Sequence, residues 1–224
     1  MDSLLDFSGQ VALITGAGSG FGRLLSKGLA ERGCKLVISD IDPKGLAETV
    51  EGLSDFADSV IAQHCDVSKE ADCKAMVDSA MDKFGRVDIG VNNAGIAHSM
   101  APMHTIDEAT MDKQMDVNVK GVMFGMKYQI EVMLKQGSGH ILNVSSLAGL
   151  GGAPKGAAYS AAKHAVIGLT KTAAIEYARK GIRANSICPF YTPTNILNID
   201  GEISQEGINQ LAVGCPMKRL ATPQ

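Results

Sequence analysis

The sequence predicts an α/β fold with a doubly wound parallel sheet, and three observations lead to that class. Short runs rich in β-branched residues recur along the chain, and most are continuously apolar, as expected of strands buried on both faces. Amphipathic stretches with apolar residues at helical spacing lie between them. The chain has 224 residues and 45% hydrophobic composition, which suits one sizeable core. We therefore expect a single domain over residues 1–224, with helices on both faces of the sheet.

Most of the 25 glycines stand singly or in small clusters at likely turns between the predicted elements. Strands are expected at 11–15, 36–39, 60–62, 87–91, 140–144 and 182–187. Helices are expected at 22–32, 70–84, 111–135 and 157–180. Ligands of such sheets bind beyond the carboxyl ends of the strands, so side chains that follow a strand are the candidate site residues.

A glycine-rich loop follows the first predicted strand. Its small residues Gly16, Ser19, Gly20 and Gly22, with Phe21 among them, let the backbone turn sharply and approach a pyrophosphate at the start of the next helix. The same spacing is also typical of an ordinary tight turn between a strand and a helix. With a strand before it and a helix after it, the loop favours dinucleotide binding.

Asp40 closes the second predicted strand, about 20 residues beyond the glycine loop. A carboxylate there can accept hydrogen bonds from the adenosine ribose hydroxyls, and a solvated turn aspartate is the structural alternative. The same carboxylate would repel the 2′-phosphate of NADP, and neither Ser19 nor Ile41 supplies a compensating cation. We therefore predict NAD as the cofactor in preference to NADP.

Two further strand ends carry candidate cofactor contacts. Asp66 and Val67 follow the third strand, where a carboxylate is expected near the adenine amino group, with a helix N-cap role for Asp66 or Ser68 as the alternative. The sequence Asn-Asn-Ala-Gly at 92–95 follows the fourth strand and points toward the same crevice. We include Asn93, Ala94 and Gly95 among the cofactor contacts.

Four polar residues form the candidate catalytic set. Tyr159 and Lys163 stand four apart on a predicted helix, so their side chains share one face about a turn apart. Ser146 follows the fifth strand, and Asn118 lies within the helix before that strand. Taken singly, each residue has a structural reading, such as a cap, a kink-stabilising amide, a half-buried aromatic or a surface charge. Taken together at the strand ends, they favour catalysis.

These residues together closely resemble the short-chain dehydrogenase/reductase family. Its marks are a T-G-x-x-x-G-x-G loop, N-N-A-G, an Asn-Ser-Tyr-Lys set and a proline at a strand end. Here they read Thr15 to Gly22, Asn92 to Gly95, the four catalytic candidates above and Pro189. The resemblance runs from about Gln10 to Leu220 and implies a Rossmann fold and an NAD(P)-dependent reaction at CH–OH groups. Ser146, with Ser145 as the alternative, has the family's spacing to the tyrosine.

The resemblance also implies roles for these side chains. A phenol has a pKa near 10, and a nearby ammonium and the positive nicotinamide ring both favour its phenolate. Tyr159 is expected to exchange the hydroxyl proton, and Lys163 to supply the charge and hold the nicotinamide ribose. Ser146 is expected to hydrogen-bond the substrate oxygen, and Asn118 to support a water-mediated proton route.

The chain departs from the family pattern at two places. Phe190 follows Pro189 where the family usually has glycine, whereas Thr194 matches a position that contacts the cofactor in the family. The sequence ends at Gln224, where members of the family continue into one further helix and a final strand that completes a sheet edge. We therefore expect the last helix and strand to be absent.

The expected substrate is a small or medium secondary alcohol or ketone. The pocket walls are expected from 98–103, from 147–154 and from a mobile substrate loop at about 190–215, which are mostly apolar. One alternative is a 3-oxoacyl thioester reductase, which would need basic residues near the loop. Another is a scaffold that binds NAD without turnover, for which an intact Ser-Tyr-Lys set has no chemical use.

Composition excludes several other classes. The formal charge is -3 and basic residues occur in no run longer than a pair, which argues against nucleic-acid binding. The five cysteines lie far apart and the five histidines lack ligand spacing, so we expect neither disulfides nor a metal. With no membrane-spanning or signal segment, a cytoplasmic protein is expected. The family resemblance implies a homodimer or homotetramer through the long helices after Gly121 and Gly156.

Overall fold

The computed structural model describes residues 5–198, 201 and 203–224. Every candidate catalytic and cofactor residue lies within these ranges. The predicted substrate loop at about 190–215 includes residues 199, 200 and 202, which lie outside the described residues.

Six parallel strands form one sheet in the order β3-β2-β1-β4-β5-β6. Starting at the first strand, the chain builds outward to β3 on one side and then returns to build outward from β4 on the other. The doubly wound sheet is therefore confirmed, and its switch point lies between β1 and β4. The strands are β1 (Val11–Thr15), β2 (Lys35–Asp40), β3 (Val60–His64), β4 (Ile89–Asn92), β5 (Gly139–Val144) and β6 (Ile182–Ile187).

Seven α-helices connect or follow these strands in the described part of the chain. They are α1 (Gly20–Ala30), α2 (Pro43–Glu51), α3 (Glu70–Phe84), α4 (Glu108–Met115), α5 (Gly121–Gln136), α6 (Ala157–Tyr177) and α7 (Gln205–Val213). Within the described ranges, none of them is both long and apolar enough to span a bilayer.

Helix α2 was not among the predicted helices, although its start has a local signal. The Asp42 side chain accepts a hydrogen bond from the Lys44 N–H, and Pro43 occupies the first turn. An acidic N-cap followed by proline is a strong helix start because proline lacks the N–H that would otherwise need a partner. The helix is short, which made its periodicity weak.

The region 111–135 is helical as predicted, but its middle turn is not α-helical. A wider π-helical turn at Asp116–Lys120 separates α4 from α5, and the Gly121 N–H bonds to the Asp116 carbonyl five residues back. Such turns are frequent at functional sites. Asn118 lies inside this turn, and its side chain bonds both to Ile96 in the loop after β4 and to Gln114 one turn earlier on α4.

The core lies on both faces of the sheet because successive strand residues point to opposite sides. Val11 and Leu13 of β1 pack in the layer that contains α3, α5 and α6 residues. Ala12 and Ile14 pack in the layer that contains Ala30 of α1 and Leu46 of α2. This explains why the central strands read as continuous apolar runs. The edge strands are more exposed: β3 has only half-buried and exposed residues, and β6 alternates buried with exposed residues over its first four positions.

Candidate active site

The glycine loop after β1 has a shape that only glycine permits at several positions. Gly16 has φ +66° and Gly20 has φ +50°, both in the left-handed region. A Cβ atom on Gly22 would lie 2.1 Å from the Gly16 carbonyl oxygen. The loop therefore folds back on itself into a narrow backbone cradle at the start of α1.

Helix α1 presents its first turn to this cradle. Ser19 is extended, and its side chain makes no capping hydrogen bond to the helix. The first N–H groups of the helix, those of Gly20 and Phe21, carry the partial positive charge of a helix N-terminus. The Ser19 side chain does not cap them. A backbone cradle with these donors fits a pyrophosphate.

Asp40 is held in place beside the loop and is not a freely solvated turn residue. Its Oδ2 atom accepts the Gly18 N–H at 2.7 Å, and its Oδ1 atom accepts the Asp42 N–H at 2.9 Å. Each carboxylate oxygen keeps a further lone pair for a ligand hydroxyl. The side chain of Ile41 is 59% exposed beside it, as an apolar surface for a base would be.

Asp66 and Val67 lie at the end of β3, as predicted. The Asp66 Oδ1 atom accepts hydrogen bonds from the Ser68 N–H at 3.0 Å and the Ser68 hydroxyl at 2.7 Å. The N-cap position of α3 belongs to Lys69, so the alternative of Asp66 or Ser68 as the helix cap is wrong. Val67 packs against Gly121, where an added Cβ atom would meet its side chain at 2.7 Å.

The segment after β4 locks onto the glycine loop. The Asn93 side-chain amide donates to the carbonyl oxygens of Thr15 at 2.9 Å and Gly16 at 3.1 Å. The Thr15 hydroxyl oxygen accepts the N–H groups of Asn93 and Ala94, each at 3.1 Å. These four hydrogen bonds, among four residues, join the end of β1 to the segment after β4 across the switch point.

Gly95 lies where the two halves of the candidate site meet. A Cβ atom there would lie 2.8 Å from Asn118 Oδ1 and 3.3 Å from Lys163 Nζ. The structure thus brings together residues from β4, the π turn and α6 that are far apart in the chain. This position needs glycine because a larger side chain would collide with its neighbours, and not because the backbone has a positive φ.

The Asn118 amide is fully buried and almost saturated. Its Oδ1 atom accepts the Ile96 N–H at 2.9 Å, and its Nδ2 atom donates to the Ile96 carbonyl at 2.9 Å and to Gln114 Oε1 at 2.8 Å. Both amide hydrogens are therefore committed. Any part of Asn118 in a proton route has to use its remaining oxygen lone pair or its backbone in the π turn.

Ser145 and Ser146 have different surroundings. Ser145 is buried, and its hydroxyl donates to the Lys163 carbonyl at 2.9 Å, which anchors α6 to the end of β5. Ser146 Oγ accepts the Ala148 N–H at 3.2 Å and lies beside the Tyr159 hydroxyl. The geometry thus favours Ser146 as the serine that faces a substrate.

Half-buried Tyr159 and buried Lys163 form a pair on α6. Lys163 is 2% exposed, its Nζ atom donates to the Val144 carbonyl at 2.9 Å, and Nζ lies 5.5 Å from the Tyr159 ring centroid. Burial lowers the pKa of Lys163 to about 8, while nearby Cys188 raises it. Burial raises the pKa of Tyr159; the Ser146 hydroxyl lowers it, and Tyr191 raises it. Perturbed titratable groups in one cleft are typical of acid–base sites.

The loop after β6 reaches back to both halves of the site. The Pro189 carbonyl accepts the Leu147 N–H at 2.9 Å, next to the candidate serine. The Thr194 side chain lies against the glycine loop, 3.1 Å from where a Cβ atom on Gly20 would be. Phe190 does not have a positive φ, so its presence in place of glycine costs no backbone strain.

Large apolar side chains surround this end of the sheet. They come from the segments that follow β4, β5 and β6, and several remain substantially exposed in the single chain. These are Met100, Met103, Leu147, Leu150 and Phe190. An exposed cluster of this kind is typical of a binding surface for an apolar ligand.

Arg23 is a residue of this region that the sequence analysis missed. Its guanidinium lies between the glycine loop and α2, where it bonds to the Gly18 and Gly45 carbonyls and to Glu48. Ser19 and Ile41, the neighbours of Asp40 expected from the sequence, carry no charge, whereas Arg23 does. The available signal was the position of Arg23, one residue after the last glycine of the loop.

Comparisons with known proteins agree with this geometry. The sequence profile of the short chain dehydrogenase family matches residues 10–202. The chain is 42% identical to an uncharacterized oxidoreductase of Thermotoga maritima over 96% of this chain and 86% of that protein. It is 38% identical to the cyclohexanol dehydrogenase of Acinetobacter sp. (strain SE19) over 97% of this chain and 84% of that protein.

Two solved structures show the same architecture. The crystal structure of levodione reductase superimposes with a TM-score of 0.91 at 35% identity and covers 97% of this chain and 87% of its own. The 3-ketoacyl-(acyl-carrier-protein) reductase of Brucella melitensis, complexed with NADH, superimposes with a TM-score of 0.88 at 36% identity. That match covers 97% of this chain and 87% of the other.

Proposed function

The chain belongs to the short chain dehydrogenase family, and on that premise we propose that it transfers hydride between NAD and a cyclic secondary alcohol or its ketone. The observation that carries the proposal is the Tyr159–Lys163 pair beside Ser146, which the segment 93–95 connects to the glycine cradle. The cradle, Asp40 and the N-terminus of α1 are the residues that would hold the cofactor.

Three side chains of this protein would carry out the proton transfer. In the oxidation direction, Tyr159 accepts the hydroxyl proton of the alcohol while Ser146 hydrogen-bonds the same oxygen. Lys163 stabilises the phenolate through its positive charge and would also contact the nicotinamide ribose. A nicotinamide held in this site would supply the hydride acceptor for the carbinol carbon in oxidation and the hydride donor in reduction. Asn118 fixes the backbone next to this pair through Ile96.

The remaining proposed cofactor contacts are supported by their positions at or after the carboxyl ends of the strands. Asp40 would accept hydrogen bonds from the adenosine ribose, which supports NAD rather than NADP because its charge repels a 2′-phosphate. Ile41 and Asp66 with Val67 would flank the adenine. Asn93, Ala94 and Gly95 would contact the nicotinamide half, as would Pro189 and Thr194.

A cyclic, uncharged substrate is supported by the apolar rim and by the relatives. The exposed methionine, leucine and phenylalanine side chains offer no charged partner for a ligand. Two proteins to which the chain is similar are named for cyclohexanol and for levodione. We therefore favour rings of that size over open-chain polar alcohols.

The decisive experiment follows NADH absorbance with cyclohexanol and related cyclic alcohols. Tyr159→Phe should lower kcat by at least about 10³-fold, because the acid–base group is lost while the ring remains. Tyr128→Phe is the matched control, since the Tyr128 hydroxyl bonds to Glu70 on the outer helices and should leave turnover unchanged. Retained turnover in Tyr159→Phe would exclude the mechanism.

A 3-oxoacyl thioester reductase is the second candidate, because one solved structure similar to the chain carries that name and contains NADH. The same assay with NADH and acetoacetyl-CoA distinguishes the two. Faster reduction of the thioester than of cyclohexanone would select the second candidate. Binding of NAD without turnover on either panel would select a non-catalytic scaffold.

We also propose a cytoplasmic homodimer or homotetramer. The odd number of widely spaced cysteines in the sequence supports a reducing compartment. Exposed apolar side chains on α5 and α6, including Met123 and Ile175, support association through these long helices.

A further inference from the structure

Arg23 joins the glycine loop to α2 through one guanidinium group. Its Nε atom donates to Thr49 Oγ1 at 2.9 Å, and its Nη2 atom lies 3.0 Å from the Gly45 carbonyl and 2.9 Å from Glu48 Oε2. The same Nη2 atom makes a short hydrogen bond to the Gly18 carbonyl. Three of these partners are on α2 and one is in the loop.

The two segments that Arg23 joins are in direct backbone contact. A Cβ atom on Gly45 would lie 2.8 Å from the Gly18 carbonyl oxygen. A Cβ atom on Gly18 would lie 2.9 Å from the Asp40 carboxyl carbon and 3.1 Å from the Leu46 nitrogen. Neither position has room for a side chain, so the spacing between loop, α2 and Asp40 is narrow.

Thr49 adds a buried connection at the same place. Its side chain is 2% exposed, and its hydroxyl lies 2.8 Å from the Ala17 carbonyl while it accepts the Arg23 Nε–H. The Thr49 hydroxyl can therefore donate its hydrogen to the Ala17 carbonyl while its oxygen accepts the hydrogen bond from Arg23. Arginine thus contacts the loop both directly and through Thr49.

The Gly18 peptides are consequently held from both sides. Asp40 Oδ2 accepts the Gly18 N–H at 2.7 Å, and Arg23 donates to the Gly18 carbonyl. We infer that Arg23 is a positioning residue for the adenosine half of the cofactor site, because it fixes the loop to which the Asp40 carboxylate is bound. This inference rests on the proposed nicotinamide cofactor.

The geometry needs a guanidinium and not only a positive charge. A planar fork can donate in several fixed directions at once, whereas an ammonium is a compact charge on a flexible stem. The ion pair between Arg23 and Glu48 is half-exposed and should contribute little by itself. The backbone carbonyls and Thr49 are the partners that matter.

The test measures ADP-ribose binding by calorimetry, because this fragment contains the adenosine and pyrophosphate but no reacting ring. Arg23→Met should weaken binding roughly ten-fold, since a site left free to reorganise loses affinity when it must be ordered by the ligand. Arg23→Lys should lose most of the same affinity, and Glu48→Gln should lose clearly less. For Arg23→Lys, KM for NAD should rise by a larger factor than kcat falls.

Arg32→Met is the matched control. Arg32 bonds to the Gly28 carbonyl at the far end of α1 and not to the cofactor loop, so its loss should leave ADP-ribose affinity unchanged. Thermal unfolding of each variant checks that it is folded. If Arg23→Met does not fold, the ADP-ribose affinity of Arg23→Lys decides the test. A merely structural arginine would lower the unfolding temperature without changing the affinity of the folded protein.

Two results would overturn the inference: unchanged affinity in a folded Arg23 variant, or an equal loss in Arg32→Met. If the wild-type protein fails to bind ADP-ribose, the proposed cofactor is wrong and the inference falls with it. That outcome is distinct from the first two, in which the wild-type protein binds ADP-ribose.

Discussion

At the scale of single residues, Lys163 places an ammonium group in the interior beside Tyr159. Its folded-state pKa of about 8 lies below the ordinary value of 10.5. Below pH 8 the folded and unfolded chains both hold the proton, so the folded state bears the cost of burial. Between pH 8 and 10.5 the unfolded chain binds more protons, and the free energy of unfolding contributed by Lys163 rises with pH.

Lys163→Met should remove this pH dependence. From about pH 7 to about pH 9.5, the difference in unfolding free energy between wild type and variant should shift in favour of wild type by roughly 2 kcal/mol. Urea unfolding at both pH values measures it. Lys171→Met, which removes an exposed lysine from the same helix, should show no such shift. Parallel pH profiles for wild type and Lys163→Met would contradict the burial argument.

Asp40 should govern the choice between the two nicotinamide cofactors. Asp40→Asn removes a charge near the expected 2′-phosphate, which is worth roughly 1–2 kcal/mol and should shift the ratio of kcat/KM for NAD over NADP about ten-fold toward NADP. Steady-state rates with both cofactors measure the ratio. Asp42→Asn is the control, because the Asp42 carboxylate caps α2. An equal shift in both variants would mean that general charge, not Asp40, sets the preference.

At the scale of elements, the turn from β1 into α1 depends on a glycine at its closest approach. In Gly22→Ala the new Cβ atom would lie 2.1 Å from the Gly16 carbonyl oxygen and 2.8 Å from Asn93 Nδ2, so the loop has to open. We expect a loss of roughly 1–3 kcal/mol in unfolding free energy and weaker ADP-ribose binding.

Gly28→Ala on the same helix should have the opposite effect on stability. The nearest atom to its new Cβ would be Arg32 Nη1 at an ordinary 3.5 Å, so the gain in helix propensity is unopposed. A stabilisation of roughly 0.5–1 kcal/mol is expected in urea unfolding. Destabilisation of both variants to the same extent would mean that the Gly22 contact is not special.

The elements also show where local sequence signals suffice. Helix α3 has the predicted bounds, because its apolar positions recur at helical spacing and Gly85 ends it with φ +73°. The region 111–135 reads as one α-helix in the sequence, yet its middle turn is π-helical, and Asn118 in that turn bonds to Ile96, 22 residues away. Periodicity records which residues are apolar and carries no information about such a partner.

At the scale of the whole molecule, the long helices leave apolar side chains at the surface of the single chain. Met123 on α5 is 47% exposed and Ile175 on α6 is 83% exposed. Met123→Glu should shift the protein toward monomer in analytical ultracentrifugation, because a buried charge opposes association. Met217→Glu, at an exposed site outside both helices, is the control. Unchanged association in Met123→Glu would place any interface elsewhere.

The sequence by itself determined the alternation of strands and helices, the glycine loop, and the spacing of Tyr159 and Lys163 on one helix face. These features are periodic or local, so neighbouring residues specify them. The strand order itself was not predicted, because right-handed crossovers between parallel strands are compatible with more than one order. Ser146 was selected by its spacing to Tyr159.

Only the tertiary structure decided which side chains meet. It assigned the Ser145 hydroxyl to the Lys163 carbonyl 18 residues away, joined Asn118 to Ile96 across 22 residues, and brought Arg23 to Thr49 across 26 residues. Each of these bonds joins groups on different elements, and each satisfies a polar group that packing has removed from water. Their positions depend on how the layers pack around the switch point, which no local stretch of sequence encodes.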